Sequence, residues 1–151
     1  MRSALCALII LGSSVARAQS GIRLEGGFLD LAEGPGILVG LPVGQLPVSV
    51  EGAVGRAVGG SLSLAWPRFG TPFGNHEIWF VSGGVSLRLL SRRPGTERGS
   101  YNFVAGMRIP YSPEGGPVFE MGGGYFRTFG GTTNAGYTGG ITGRIAIGWQ
   151  F

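Results

Sequence analysis

Lysine is missing from this 151-residue chain, and histidine and cysteine occur once each, as His76 and Cys6. One cysteine allows no internal disulfide and no cysteine metal cluster, and one histidine excludes most histidine-based metal sites. Charge is also scarce: charged residues make up 13% of the chain, about half the usual globular share. That deficit fits poorly with an ordinary water-exposed surface. Nowhere do eighteen apolar residues run uninterrupted, which excludes membrane-spanning helices. What is present is arginine, twelve residues against eight acids, together with 31 Gly and 9 Pro. Such Gly and Pro content usually warns of disorder, but 11% aromatics and a positive mean hydropathy oppose it.

The opening segment, residues 1–18, reads as a cleaved signal peptide. Arg2 supplies the positive start, Ala4 to Leu11 the short apolar run, and Ala16 and Ala18 the small residues before a cut at Gln19. Cys6 lies inside that run, away from the cut. Removing the segment takes Arg2 and Arg17 and leaves ten Arg against eight acids, too even a balance for a nucleic-acid partner recognised by bulk charge. Residues 19–151 then form one domain. An exported chain this hydrophobic, without spanning helices, has strands as its route into a membrane.

Period-two alternation is the strongest signal, since it places alternate side chains on opposite faces of a strand. In the C-terminal segment Tyr137, Ile141, Ile145, Ile147, Trp149 and Phe151 share one face, opposed by Thr138, Thr142, Arg144 and Gln150. Tyr101, Phe103, Ala105, Met107, Ile109 and Tyr111 likewise oppose Asn102, Val104 and Arg108, and Phe119, Met121, Tyr125 and Phe129 oppose Glu120 and Thr128. Eight segments follow, at about 20–31, 36–43, 46–57, 60–67, 77–90, 100–111, 117–129 and 137–151. Turn-rich pieces separate them, among them Ala32-Glu33-Gly34-Pro35 and Ser112-Pro113-Glu114-Gly115-Gly116. Short connections predict an all-β, antiparallel up-and-down eight-stranded transmembrane β-barrel. Pro42 and Pro67 each remove a ladder donor, so the second and fourth strands are the weakest.

Aromatic spacing supports a membrane setting. Tyr101 to Tyr111 and Phe119 to Phe129 each cover about 33 Å of strand. Tilted by about 40°, each pair spans about 25 Å along the membrane normal, the height of the apolar band between the girdles of membrane barrels.

The ending Ile145, Ile147, Trp149, Phe151 resembles the terminal-strand signal of bacterial outer-membrane β-barrels. With the export signal and the strand count, the chain is similar to the small eight-stranded OmpA/OmpX-type barrels of Gram-negative bacteria. The resemblance implies an integral outer-membrane protein with both termini periplasmic, inserted by the outer-membrane insertion machinery through those four residues. It implies an aromatic girdle of Tyr101, Tyr111, Phe119, Phe129, Trp149 and Phe151, and surface connections near 32–35, 58–59, 91–99 and 130–136. The outer loops are shorter, and glycine denser, than in that family.

The alternation assigns Arg23, Glu25, Glu51, Arg88, Arg108, Glu120 and Arg144 to the lumen. Eight strands enclose room for side chains only, so these charges are expected to form an ionic plug and not a conducting pore. Loss of Glu120 should then cost far more than loss of a rim charge. Arg56, Arg92, Arg93, Arg98 and Arg127 are expected near the outer surface, where they would contact lipid headgroups, lipopolysaccharide phosphates included. Gly122-x-Gly124 lacks the following helix and Lys of a phosphate loop. The expected protein is non-catalytic, structural or lipopolysaccharide-interacting, with no cofactor and no metal. One alternative is a lipid A-modifying outer-membrane enzyme. It needs a histidine beside a serine and a carboxylate, whereas His76 falls in the predicted periplasmic turn from Arg68 and its neighbour Glu77 points to the opposite face. Another is a secreted soluble barrel or sandwich binding module, whose apolar rows would pack inward.

Overall fold

The computed structural model describes residues 21–44, 46–67, 78–89, 98–112, 115–130 and 139–151. The expected signal peptide, Tyr137, His76, Glu77, Arg92 and Arg93 lie outside the described residues. Eight strands form: β1 (Arg23–Leu29), β2 (Gly34–Pro42), β3 (Val48–Val54), β4 (Ala57–Pro67), β5 (Ile78–Arg88), β6 (Gly99–Pro110), β7 (Gly116–Phe129) and β8 (Gly139–Gln150). Each pairs antiparallel with its sequence neighbour, and β1 pairs with β8, closing the barrel. Pro42 and Pro67 are the last residues of β2 and β4, where a missing donor is tolerated.

The register fixes the shape. A ladder walk from Arg23 passes through Gly40, Glu51, Ser61, Gly84, Asn102 and Phe126 to Gly140, whereas Arg23 itself pairs with Gln150, ten residues further along β8. A stagger of ten residues around eight strands tilts them by about 40°. The resulting interior admits side chains and little else.

Alternation then decides what faces where. Leu24, Phe28, Val39, Leu62, Leu64, Val85, Phe103, Tyr125, Ile145 and Ile147 are exposed on the outer wall, while Arg23, Glu51, Arg108, Glu120 and Arg144 are buried within. The Tyr101–Tyr111 and Ile141–Phe151 rows point outward, opposite to a soluble module that packs them as its core. The described girdle residues occupy both rims: Tyr101 stacks on Phe129 at one end, with centroids 4.8 Å apart, and Tyr111, Phe119, Trp149 and Phe151 lie towards the other. Trp66 and Trp79, directly paired across β4 and β5, add to the latter.

Two strand boundaries differ from the expected ones. The β3–β4 connection is Gly55–Arg56, not 58–59; Gly59 and Gly60 lie inside β4, and Arg56 therefore sits in a tight turn instead of on a strand. The first connection is Asp30–Glu33, with Gly34 and Pro35 already in β2. This turn folds into the barrel mouth. Leu29, Leu31 and Ala32 are fully buried and join Leu38, Ala53 and Ala146 in an apolar cluster. Its fit requires close approach: a Cβ on Gly59 would lie 2.8 Å from the Leu31 carbonyl oxygen, and one on Gly36 2.6 Å from the Ala32 side chain. Glu33 adopts φ of 52° and Gly34 of 142° to make the bend, a left-handed geometry costing a non-glycine residue about 1 kcal/mol.

Candidate functional site

Burial of unpaired charge is prohibitive, so charged residues on the inner face of a narrow barrel must find one another. Here they do so in one network. Glu51 of β3 and Glu120 of β7 each contact all three of Arg23, Arg108 and Arg144, from β1, β6 and β8. Arg23 Nη2 donates to Glu51 Oε1 at 2.7 Å and Nη1 to Glu120 Oε2 at 2.9 Å. Arg108 Nε donates to Glu120 Oε2 at 2.6 Å and its Nη2 to Glu51 Oε1 at 3.3 Å. Arg144 Nη1 is shared between Glu51 Oε2 at 2.8 Å and Glu120 Oε1 at 2.7 Å. Glu25 completes the floor through Arg23 Nη1 at 2.9 Å.

Neutral groups finish the packing. Ser61 of β4 and Ser82 of β5 donate to Glu51 Oε2 at 3.1 and 3.4 Å. The Phe80 ring stands against two guanidinium groups, with the Arg108 and Arg144 Cζ atoms 5.2 and 5.5 Å from its centroid, a cation–π arrangement that also excludes water. β2 supplies space: a Cβ on Gly40 would lie 2.6 Å from Arg23 Nη2. Every strand thus contributes a group or a gap to the same cluster.

A second polar layer lies at the mouth. Arg144 Nε reaches Asp30 Oδ1 at 2.7 Å, tying β8 to the inward turn. Across the lumen, Arg88 Nε donates to Glu33 Oε2, while Ser86 and Ser100, 2.8 Å apart, both reach Glu33 Oε1. Asn102 closes the group, accepting from Ser100 and donating to Ser86.

Six of the seven predicted lumen residues, Arg23, Glu25, Glu51, Arg108, Glu120 and Arg144, therefore meet in the plug. Arg88 does not; it faces the lumen from the C-terminal end of β5 and pairs with Glu33. Asp30 joins the plug in its place, so three guanidinium groups meet four carboxyl groups instead of four meeting three. Glu25 is the least engaged of these acids: its Oε2 has no hydrogen-bond partner among the described residues, and neither has Arg144 Nη2.

Among the predicted headgroup contacts, Arg56, Arg98 and Arg127 are exposed and gather at the end that carries Tyr101 and Phe129. Gly130, at φ of 84°, lets the chain turn beside the Arg98 stem. No protein-family model matches the chain, and comparison with curated proteins and with solved structures gives no match either.

Proposed function

We propose that the chain is an integral outer-membrane β-barrel with a side-chain-filled lumen, structural or lipopolysaccharide-interacting and non-catalytic. One observation carries this reading: the molecule is inside out. Its outer wall presents a continuous apolar surface in two aromatic-edged rims, and its charges are folded inward and neutralised. In water that wall would be an aggregation surface far larger than a monomer normally exposes; in a bilayer it is the favourable face. The ladder supports it too, because a membrane tolerates strands whose backbone groups are paired within the wall, and each strand here pairs with both its neighbours, β1 with β8 from Arg23–Gln150 to Phe28–Ile145. In this reading residues 1–18 direct export, both termini are periplasmic, and Ile145, Ile147, Trp149 and Phe151 engage the insertion machinery.

The test is fractionation. The protein should follow outer-membrane vesicles, resist carbonate extraction and migrate faster on a denaturing gel when unheated; recovery in the soluble periplasm would refute the proposal. Lipopolysaccharide contact rests on the arginines at the Tyr101 rim. Replacing Arg56, Arg92, Arg93, Arg98 and Arg127 together with Gln should reduce lipopolysaccharide co-purification and lower thermal stability. Unchanged values would remove the lipopolysaccharide part of the reading alone. The non-catalytic part rests on the isolation of His76 in the sequence, and a lipid A mass profile that changes on expression and reverts with His76→Ala would overturn it.

A further inference from the structure

The wall of the barrel is breached on one side near the mouth. Pairing between β1 and β8 runs from Arg23 opposite Gln150 to Phe28 opposite Ile145 and stops there. β1 then leaves the wall as the Asp30–Glu33 turn folds inward, whereas β8 continues to Gly139 with β7 as its ladder partner on the other side. A cavity of about 360 Å³ opens at this place. Its lining comes from both faces of the wall: Phe28 and Ile141 belong to the outer, apolar surface, while Ser100, Asn102 and Thr142 belong to the lumen. Ile141 is 90% exposed, against 68% for Ile147 on the paired part of the same strand, as expected where no strand among the described residues pairs with β8 on that side.

We propose that this opening is a side portal that binds a neutral, hydroxyl-bearing single-chain amphiphile of the monoacylglycerol kind. The proposal rests on the membrane reading above, which puts Phe28 and Ile141 against hydrocarbon. A chain lies along those two side chains, and the head meets the Thr142 hydroxyl and then exchanges hydrogen bonds with Ser100 and Asn102, which without it bond each other, Ser86 and Glu33. The head is neutral because the charges that line the cavity already have counter-ions: Arg88 is held by Glu33, and Asp30 by Arg144. An anionic head would compete with Glu33 and Asp30 at close range, and a cationic one with the guanidinium groups they hold. A water-soluble polyol would gain nothing from the apolar half of the lining.

The experiment places a photo-cross-linking benzoylphenylalanine at Ile141 in the full chain and, in a second variant, at Ile147. Both are reconstituted in phosphatidylcholine vesicles containing minor fractions of monooleoylglycerol and phosphatidylglycerol, and folding is verified by heat-modifiable migration. The ratio of monooleoylglycerol to phosphatidylcholine adducts should be about tenfold higher at 141 than at 147, corresponding to about 1.4 kcal/mol of preference. It should fall to the value at 147 in Asn102→Ala and, independently, in Thr142→Val. Equal ratios at the two positions overturn the portal, and enrichment of phosphatidylglycerol at 141 overturns the neutral head. A protein adduct at 141 in place of lipid would mean that a partner strand pairs with β8 there, and overturns the proposal as well. Lipid adducts at neither position would instead refute the membrane reading, which separates the two failures.

Discussion

Arg144 and Glu25 lie in the same buried cluster but should respond very unequally to loss of charge. Arg144 serves three carboxylates, Asp30, Glu51 and Glu120, with contacts of 2.7 to 2.8 Å. Arg144→Gln removes the charge that all three share and leaves Arg23 and Arg108 facing four carboxyl groups. Breaking one buried pair by removing a single partner costs about 3–5 kcal/mol, and charge-assisted hydrogen bonds are worth about 1.5–3 kcal/mol each, so a loss of about 4 kcal/mol is expected after the Gln amide recovers one contact. With a urea dependence of about 2 kcal/mol per molar, the unfolding midpoint should fall by about 2 M. Glu25→Gln removes one pair, to Arg23, and leaves three guanidinium groups facing three carboxyl groups; a change below about 1 kcal/mol is expected, since the amide still accepts from Arg23. Reversible urea unfolding in vesicles, followed by tryptophan fluorescence and by gel migration, measures both. If lumen stability were a matter of filled volume and not of charge pairing, Arg144→Met would match wild type, and Glu25→Gln would equal Arg144→Gln. Either result would refute the electrostatic account.

Glu120→Gln should destabilise by about 3 kcal/mol in the same assay, far more than Arg98→Gln at the exposed rim. Gly124→Ala should cost several kcal/mol, because its Cβ would come within 1.8 Å of the Phe103 carbonyl oxygen, whereas Gly83→Ala, with open space around the new methyl, should be neutral or stabilise by about 0.5 kcal/mol; denaturation midpoints of the two variants decide this. Glu33→Gln should weaken the mouth without unfolding the plug, raising hydrogen exchange at Ser86 and Ser100 while leaving that at Arg108 and Glu120 unchanged.

The strands were legible because a barrel wall separates two environments, and period-two alternation records that separation at every position. The same rule placed Arg23, Glu51, Arg108, Glu120 and Arg144 in the lumen from sequence alone. It did not reach Glu33, and it put Asp30 in phase with the outward Ile22, Leu24 and Phe28 of the expected segment 20–31; β1 ends at Leu29, and both side chains are carried inward by the turn itself. A signal for them did exist: the inward set contained four cations and three anions, and Asp30 and Glu33 are the acids at the end of the expected first segment and just past it. Gly59 misled in the opposite direction. It falls in the expected connection 58–59, but it is small because Leu31 lies over it, a contact between residues distant in sequence that no local pattern records.

The plug also bears on the order of assembly. Arg23 and Glu120 are 97 residues apart, and Arg144 and Asp30 are 114, so these pairs exist only when the first and last strands meet. Hairpins such as β6–β7, with Arg108 and Glu120 directly opposite each other, bring their charges together over 12 residues and have no need of closure. Contacts of high sequence separation form late because loop-closure entropy must be overcome first. Arg23→Gln should therefore leave the refolding rate into vesicles nearly unchanged and raise the unfolding rate by most of the stability lost, the behaviour of an interaction absent from the transition state. Arg108→Gln, whose partner lies on the adjacent strand, should divide its effect between the two rates. Slowed folding in Arg23→Gln, equal to or greater than that in Arg108→Gln, would show that β1 meets β8 before the hairpins set, and would reverse this order.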